Sequence, residues 1–341
     1  MVSRPVHWEA HDHPPAVQDC PLEVQAIRAW VANGACEDDT CVMRRALEFA
    51  IVWLLVKLMG LPPRRVARGM GAAVGGLAYA LTGRLKQVGR RNLEIAFPEK
   101  PASEREQILR GLYRNLGWEL AEFCQMPHYT AESAAAFIRY EGLEHYLAAR
   151  DAGNGVLVLT GHLGAWELSS FYHSLMGHPM SMVIRRLDNQ RVDRLVNRTR
   201  CLHGNRVLHK DDFARGLIGA MRAGDTVGIL MDTNMTPPQG VFVPYFGVEA
   251  CTASGLARVA LKTGAAVLPG FLLWHQDEQK YVLHFGSVLG LVRTGDAEQD
   301  IVANTALFTH VIEEWVRQYP DQWLWVHRRW KTRPAGEPAI Y

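Results

Sequence analysis

His162 and Glu167 are the residue pair in this 341-residue sequence best suited to acid–base chemistry. They lie five positions apart in the segment Gly161–Glu167, GHLGAWE. An imidazole can accept a proton near neutral pH, and a nearby carboxylate can hold the ring in one tautomer and stabilise the imidazolium that forms. We therefore interpret His162 as a general base and Glu167 as the group that orients it.

No serine nucleophile accompanies this pair, because the sequence lacks a G-x-S-x-G elbow. A base without a protein nucleophile indicates that a substrate hydroxyl is the nucleophile, and a positioned base activates such a group by roughly 10²–10⁴-fold. The P-loop, the strand-linked G-x-G-x-x-G and H-E-x-x-H are also missing. We expect no nucleotide, nicotinamide or metal cofactor. A histidine at a strand end is more often structural, so the pair alone is a weak signal.

The local pattern places His162 where a strand ends and a helix begins. Val156–Thr160 is apolar and follows a Gly-Asn-Gly turn, which predicts a buried strand, and a helix is predicted from Gly164 to Leu175. Open α/β sheets carry their chemistry at such junctions. Gly161 and Gly164 would let backbone approach the reacting centre, and N–H groups at the helix start could stabilise an oxyanion.

Strands and helices alternate from Phe137 onward, which predicts an α/β fold with a largely parallel central sheet and helices on both faces. Further strands are predicted at Ser181–Arg185, Thr226–Met231 and Ala266–Trp274, with Tyr281–Phe285 as an antiparallel addition. Further helices are predicted at Leu143–Arg150, Asp188–Leu202, Asp212–Arg222, Thr252–Thr263 and Glu298–Gln318. Thr252 is the expected N-cap of its helix.

Four more segments follow GHLGAWE in a co-linear set. They are IRRLDN at Ile184–Asn189, GILMDTN at Gly228–Asn234, GVFVPYFG at Gly240–Gly247 and QWLWVHRRWKTRP at Gln322–Pro334. From about Leu47 to Tyr341 the chain resembles the lauroyl/myristoyl acyltransferases of lipid A biosynthesis, which belong to the lysophospholipid acyltransferases. The H-x4-D/E spacing alone is shared with glycerol-phosphate acyltransferases; the long set is the specific signal.

The resemblance implies an enzyme that transfers a fatty acyl chain from an acyl-carrier-protein thioester to a hydroxyl of a Kdo-bearing lipid A precursor. It also implies a site at the cytoplasmic face of a Gram-negative inner membrane, with the carrier protein, the lipid acceptor and the membrane surface as partners. Two alternatives stay open. The acceptor could be another glycolipid, an ornithine lipid or a lysophospholipid, or the chain could be a lipid-binding protein without turnover.

Several basic and acidic residues are candidate substrate ligands on this resemblance. Arg185 matches the arginine of a Y-R-P-type motif, with Arg186 in place of the proline, and either guanidinium could hold a phosphate. Asp232 matches the aspartate of L-x-D and could order the loops, bind the headgroup or cap a loop. Arg328 and Arg329 lie among Trp323, Trp325 and Trp330, a composition typical of an interface belt beside phosphates.

Each of these assignments has an alternative in which the residues are structural or simply exposed to solvent. Arg185 and Arg186 could be surface charge, and the C-terminal segment could be a basic strand end. Val241–Phe246 could border an acyl groove or pack in the core. Arg191, Arg194, Arg198 and Arg200 could be solvated surface or could dock an acidic carrier protein.

The N-terminal part is apolar and basic. Between Met43 and Asn92 the chain has ten Lys or Arg residues and one acid, Glu48, which favours a membrane surface with anionic lipid. The Arg44–Met59 helix is too short in apolar length to cross a bilayer, so we expect it to lie in the interface; a buried core helix is the alternative. The glycines of Gly69–Leu81 would let another helix approach closely.

The composition also limits the class of protein and the cellular compartment. A net charge of +2 is too small to indicate nucleic-acid binding. The six cysteines are scattered, which favours free thiols in a reducing compartment. We expect residues 1–42 to be a loosely structured extension without a signal peptide, with a short helix near Leu22–Val31. His11 and His13 there could contact a metal or belong to a poorly packed tail, and the tail is favoured. Residues 43–100 form the membrane-associating helices and 101–341 the α/β domain, beginning with a capping box at Ser103 and Glu106 and a core stripe every four residues from Ile108 to Leu120.

Overall fold

The computed structural model describes residues 39–209 and 213–341. The predictions for His11, His13 and Leu22–Val31 lie outside the described residues. Residues 39–42 do not continue a loose extension, because they begin helix α1 (Asp39–Gly60). The chain divides within this helix into two compact units, 1–48 and 49–341. In the first unit, the exposed pair Arg44 and Glu48 lies one helical turn apart at 3.5 Å.

The second unit alternates helices and strands. Helices α2 to α11 are Arg64–Leu81, Gly83–Ala96, Ala102–Gln125, Ala131–Ala135, Leu143–Asp151, Trp166–Leu175, Gln190–Arg200, Phe213–Arg222, Gly255–Thr263 and Ala297–Gln318. Strands β1 to β9 are Ile138–Glu141, Val156–Thr160, Ser181–Ile184, Arg206–His209, Thr226–Leu230, Gly240–Tyr245, Val248–Ala253, Ala266–His275 and Lys280–Phe285. Short 3₁₀ turns lie at Met126–His128 and Pro320–Gln322.

The central sheet has seven strands in the order β1-β9-β8-β2-β5-β3-β4. Strands β8, β2, β5, β3 and β4 are parallel to one another. Strand β9 pairs antiparallel with β8, and β1 is parallel to β9. The prediction of a largely parallel sheet with an antiparallel addition is confirmed. A separate hairpin, β6–β7, is antiparallel.

Both faces of the sheet are buried against helices. In strand β2, Leu157 and Leu159 enter one hydrophobic cluster with residues of α3, α4, α9, α10 and α11. Val156 and Val158 enter a second cluster with residues of α6 and α7. Because side chains alternate across a strand, a continuously apolar strand such as this one needs cover on both sides, which confirms the predicted layers.

Two predicted helix caps are wrong. Helix α4 starts after Pro101 without a side-chain cap, and the Glu106 carboxylate instead accepts from Arg90 at 2.8 and 2.9 Å. Thr252 lies in strand β7 rather than at a helix start, and α10 begins at Gly255. Strands β4 and β6–β7 have no counterpart in the predicted elements, since short strands carry a weak local signal.

Helices α2 and α4 pack at close range through glycines. A Cβ at Gly71 would lie 2.1 Å from the carbonyl oxygen of Gly117, and one at Gly75 would lie 2.1 Å from that of Tyr113. The predicted role of the glycines in Gly69–Leu81 is therefore confirmed. Along α4, Ile108 and Leu112 are buried, as predicted for the core stripe.

Two of the ten basic N-terminal residues face the protein interior rather than a lipid surface. Arg64 and Arg68 donate to the buried carboxylate of Glu122 at 2.6 and 2.9 Å. The guanidinium of Arg68 also lies between the rings of Trp118 and Trp274, 4.2 and 4.0 Å from their centroids. These contacts join α2 to α4 and to strand β8, because a buried carboxylate requires paired cations and hydrogen bonds.

Large apolar side chains are exposed along α1 and α2, and at one position of α3. Large hydrophobic side chains are exposed there at Ile51, Leu54, Leu58, Leu61, Val66, Met70, Val74, Leu77, Leu81 and Leu85. Met59 and Ala67 pack inward against Ala121 and Cys124. Within the described residues, every helix is too short or too polar to cross a bilayer.

Candidate active site

His162 and Asp232 follow two neighbouring parallel strands at the same edge of the sheet. Strand β2 ends at Thr160 and β5 ends at Leu230, and these two residues are partners in the ladder. His162 and Asp232 each stand two positions further on. The register of the ladder therefore brings the two residues together, although they are 70 positions apart in the chain.

The carboxylate of Asp232 holds the His162 ring and backbone. Nδ1 of the ring lies 2.8 Å from Oδ1, and the His162 backbone N–H donates to Oδ2 at 2.7 Å. The indole N–H of Trp323 also donates to Oδ2, at 2.8 Å. Because the carboxylate accepts from Nδ1–H, Nε2 has the free lone pair that a general base needs.

The charges of the pair stabilise each other. Burial alone raises the pKa of Asp232, but the positive charge of protonated His162 and hydrogen bonds from His162 and Trp323 lower it to about 2. Burial alone lowers the pKa of His162, but the negative charges of Asp232 and Glu167 raise it above its ordinary value. The side chain of His162 is 26% exposed, so the ring remains accessible from solvent.

Glu167 is not the hydrogen-bond partner of His162 as predicted. Its carboxylate binds Arg200 of helix α8 through both oxygens, with Nε donating to Oε2 at 2.8 Å and Nη2 donating to Oε1. Glu167 stands on the first turn of α7 and faces α8, whereas Asp232 has the strand register that matches His162. The prediction is corrected: Asp232 orients the ring, and Glu167 orients Arg200.

A cleft open to solvent, with an empty volume of about 510 Å³, lies beside the pair of Glu167 and Arg200. Glu167 and Arg200 line it on the helix side, together with Trp166. Its sheet side is apolar and includes Val158, Met180, Met182, Ile184 and Leu230. The Trp166 ring contacts the His162 ring edge-to-face, with centroids 5.3 Å apart. The cleft thus has a charged wall on the helix side, next to the tryptophan that contacts His162, and an apolar wall along the sheet. His162 itself does not line the cleft.

Glu119 of helix α4 binds the start of α7. Its Oε1 accepts from the backbone N–H of Glu167 at 2.7 Å, and α7 has no side-chain cap of its own. Oε2 is buried without a hydrogen-bond partner among the described residues. Burial raises the pKa of Glu119 well above its usual range, against the opposing effect of the backbone N–H bond. Burial therefore favours the neutral form of Glu119, and its contact with the Glu167 N–H positions the first turn of α7.

The two site glycines contact the scaffold. A Cβ at Gly161 would lie 3.0 Å from Cγ of Asp232, so this glycine lets the acid approach the strand end. Gly164 has φ +68°, and a Cβ there would lie 2.0 Å from the carbonyl oxygen of Leu272. The N–H of Gly164 already donates to the carbonyl of Gln322 at 3.0 Å. Gly164 thus contributes a close backbone approach and no free oxyanion donor.

The predicted phosphate ligands separate into exposed and buried groups. The side chain of Arg185, at the end of strand β3, is 80% exposed and pairs with Asp188 at 3.1 Å, and Arg186 is also exposed. Arg329 is 0% exposed and donates to the carbonyl of Cys251 at 3.0 Å and to the hydroxyl of Thr252. Arg329 therefore cannot contact a substrate phosphate in this structure.

The C-terminal aromatic residues form core rather than an interface belt. Trp323, Trp325 and Trp330 are at most 1% exposed. Arg328 is half-buried, with its guanidinium 6.0 Å from the Tyr341 ring centroid. In Val241–Phe246, Val243, Tyr245 and Phe246 are buried, which supports core packing there.

Comparison with known proteins decides the family. The sequence profile of the bacterial lipid A biosynthesis acyltransferase family matches residues 39–332. The chain belongs to this family. It is 28% identical over 292 residues to the lipid A biosynthesis palmitoleoyltransferase of Escherichia coli K12, covering 85% of this chain and 92% of the relative. It is 29% identical over 296 residues to the lauroyltransferase of the same strain, covering 86% and 94%.

A third relative, a lipid A biosynthesis acyltransferase of Haemophilus influenzae, is 29% identical over 285 residues, covering 82% of this chain and 89% of the relative. The resemblance found in the motifs is confirmed, and the protein is an acyltransferase.

The site includes two residues, Glu119 and Arg200, whose contacts the sequence analysis does not predict. A sequence signal for Glu119 is that it and Glu122 are acids within an apolar helical run. A signal for Arg200 is that it lies on the inner side of a helix whose other arginines face outward.

Proposed function

We propose that this acyltransferase moves a fatty acyl chain from an acyl-carrier-protein thioester to a hydroxyl of a lipid A precursor. The hydrogen bond from His162 Nδ1 to Asp232 carries the proposal, because it leaves the Nε2 lone pair free in a side chain that is 26% exposed. Nε2 takes the proton of the acceptor hydroxyl as its oxygen attacks the thioester carbonyl. The tetrahedral intermediate then expels the thiolate, and the imidazolium returns a proton to the sulfur.

The pair of Glu167 and Arg200 supplies the second part of the proposed mechanism. Arg200 lines the cleft together with Trp166, whose ring contacts that of His162, and the bidentate contact with Glu167 fixes its guanidinium in place. A positive group held there stabilises the oxyanion of the tetrahedral intermediate without reorganising during the reaction. A thioester is already activated, so the proposed transfer needs no metal or other cofactor.

Single substitutions test the base. With a purified acyl-carrier-protein donor and a Kdo-bearing lipid A precursor, His162→Gln is expected to lower kcat by roughly 10²–10⁴-fold. His310→Gln is the matched control, because His310 lies on an exposed helix face away from the site elements. Transfer by His162→Gln at the rate of the control would exclude His162 as the base.

The acceptor is decided by mass spectrometry of products and of lipid extracts. A strain without this gene should lack one acyl chain on its lipid A if the proposal is correct. A change confined to ornithine lipids, other glycolipids or lysophospholipids would instead identify one of those as the acceptor.

We further propose that the enzyme works on the cytoplasmic face of the inner membrane. The exposed large apolar residues along α1 and α2 support contact with a bilayer, since exposed apolar surface of this kind marks interaction sites. Replacing Ile51, Leu54 and Leu58 together by glutamate should abolish binding to vesicles containing anionic lipid. Val302→Glu on the distant helix α11 is the control, because Val302 is an isolated exposed apolar residue. Equal vesicle binding by both variants would contradict the membrane proposal.

A further inference from the structure

Helix α8 carries three arginines on its outward side. Over Gln190–Arg200, Arg191, Arg194 and Arg198 fall within an arc of about 60° when each residue advances the helix by about 100°. All three are exposed. We call these three residues the arginine stripe.

The acidic residue of the same helix does not neutralise the stripe. Asp193 projects from the opposite side, where its carboxylate accepts from the Leu187 backbone N–H at 2.9 Å and from the Asn197 amide at 3.1 Å. None of the three stripe guanidinium groups forms an ion pair with a carboxylate in residues 39–209 and 213–341. Three adjacent cations without a carboxylate partner in this described part of the chain create a local positive potential that attracts an acidic partner.

The opposite side of the same helix reaches the reaction site. Arg200 lies about 180° around the helix from Arg191 and binds Glu167 at the wall of the cleft. A partner seated on the stripe is therefore separated from the cleft by the width of one helix, about 10–12 Å with side chains. This placement suits a protein that carries its acyl group on a flexible arm.

The composition of the stripe favours an acidic protein over a lipid surface. Interfacial helices combine basic residues with large exposed apolar side chains. Between residues 190 and 200 no large hydrophobic side chain is exposed; Leu187 and Leu202 flank the helix on either side. The exposed large apolar side chains of this protein are concentrated instead on α1 and α2.

We propose that the arginine stripe is the docking surface for the acidic face of the acyl carrier protein. This proposal rests on the proposed function, because it assumes that the donor is a carrier-protein thioester. Rim charges of this kind act mainly on association and its salt dependence, so the stripe should affect the encounter with the donor and leave the acyl transfer step unchanged.

A triple variant, Arg191→Gln with Arg194→Gln and Arg198→Gln, tests the stripe. The matched control is a second triple variant, Arg222→Gln with Lys262→Gln and Arg293→Gln, which removes the same charge from exposed residues. Of these, Arg222 and Lys262 lie at the opposite end of the sheet, beside the turns that precede strands β2 and β8. Both variants are assayed with acyl-carrier-protein and with the corresponding acyl-pantetheine as donors, at several salt concentrations.

The stripe variant should show a KM for acyl-carrier-protein about eightfold higher, as expected if each of the three rim charges contributes roughly a factor of two. Its kcat, and its kinetics with acyl-pantetheine, should match those of the control. The salt dependence of kcat/KM for the carrier protein should become shallower.

Four results would overturn the proposal. An unchanged KM for the carrier protein would show that the stripe does not dock it. Equal losses with both donors would place the stripe in acceptor binding or in folding, and reduced binding to anionic vesicles with an unchanged KM would identify a lipid contact. If the unaltered enzyme uses acyl-pantetheine but not acyl-carrier-protein, the proposed donor itself is wrong, and the docking assignment is wrong with it.

Discussion

His162 and Asp232 face each other because each follows, two positions on, one member of the last residue pair in the ladder between strands β2 and β5. Thr160 pairs with Leu230 at the strand ends, and two positions later Nδ1 of His162 meets Oδ1 of Asp232 at 2.8 Å. A side chain held by strand register is well positioned for proton transfer, since its orientation does not depend on a mobile loop.

Asp232→Asn should lower kcat by roughly 10²–10⁴-fold, because an amide no longer stabilises the imidazolium or selects the Nε2 tautomer. The variant should also change the pH dependence. Asp232 raises the pKa of His162, and the base works only when neutral, so the acidic limb of the pH profile should move to lower pH in the variant. The measurement is kcat/KM against pH.

Asp225→Asn is the control for that experiment. Asp225 immediately precedes strand β5, at its other end, and its carboxylate lies 3.9 Å from a guanidinium nitrogen of exposed Arg206. Its profile should match that of the unaltered enzyme. An acidic limb that stays in place in Asp232→Asn would show that this carboxylate does not tune His162.

Glu167→Gln and Arg200→Gln should each reduce kcat by about 10²-fold, in line with loss of one preorganised oxyanion stabiliser. The double variant should be little worse than either single one, because groups in one bidentate pair do not act independently. The exposed pair Arg139 and Glu278, 2.7 Å apart, provides control substitutions that should leave kcat unchanged. Multiplying losses in the double variant would contradict a shared role.

Glu119→Gln should preserve the enzyme, whereas Glu119→Leu should destabilise it by about 0.5–2 kcal/mol through loss of the helix cap. The folded-state pKa of Glu119 is raised, so the folded chain holds a proton that the unfolded chain releases above about pH 4.3. This group therefore costs stability as pH rises, and Glu119→Gln should gain stability over the unaltered enzyme with increasing pH.

Denaturant unfolding at several pH values measures that difference, with exposed Glu132→Gln as the control. If the gain of Glu119→Gln does not grow with pH, Glu119 is ionised in the folded enzyme. Among these variants, only Glu119→Leu should disturb the first turn of α7, so only Glu119→Leu should have a lowered kcat.

Gly71→Ala should destabilise the enzyme by about 1–3 kcal/mol, because the new Cβ would force α2 away from α4. Gly69→Ala on the same helix has nothing within 4 Å of its Cβ and should be neutral or stabilising by about 0.5–1 kcal/mol. Thermal or denaturant unfolding compares the two. Equal stabilities would show that the helix contact is not maintained in solution.

The sequence alone determined the layers of the fold and the location of His162. Apolar strands such as Val156–Thr160 and their alternation with helices are local patterns, and such patterns depend on neighbouring residues in the chain. The same holds for the glycines that allow α2 and α4 to approach. The co-linear motifs were also sufficient to indicate the family, since they are read without knowledge of any contact.

Only the tertiary structure decided which carboxylate serves the histidine. Glu167 is close to His162 in sequence, but its helix turns it toward Arg200. Asp232 is 70 positions away, and strand order and register bring it to the ring. Burial of Arg329 and of the C-terminal tryptophans was likewise decided by packing. Residue types and spacing set what a side chain can do, whereas its partner depends on which distant segments the folded chain brings beside it.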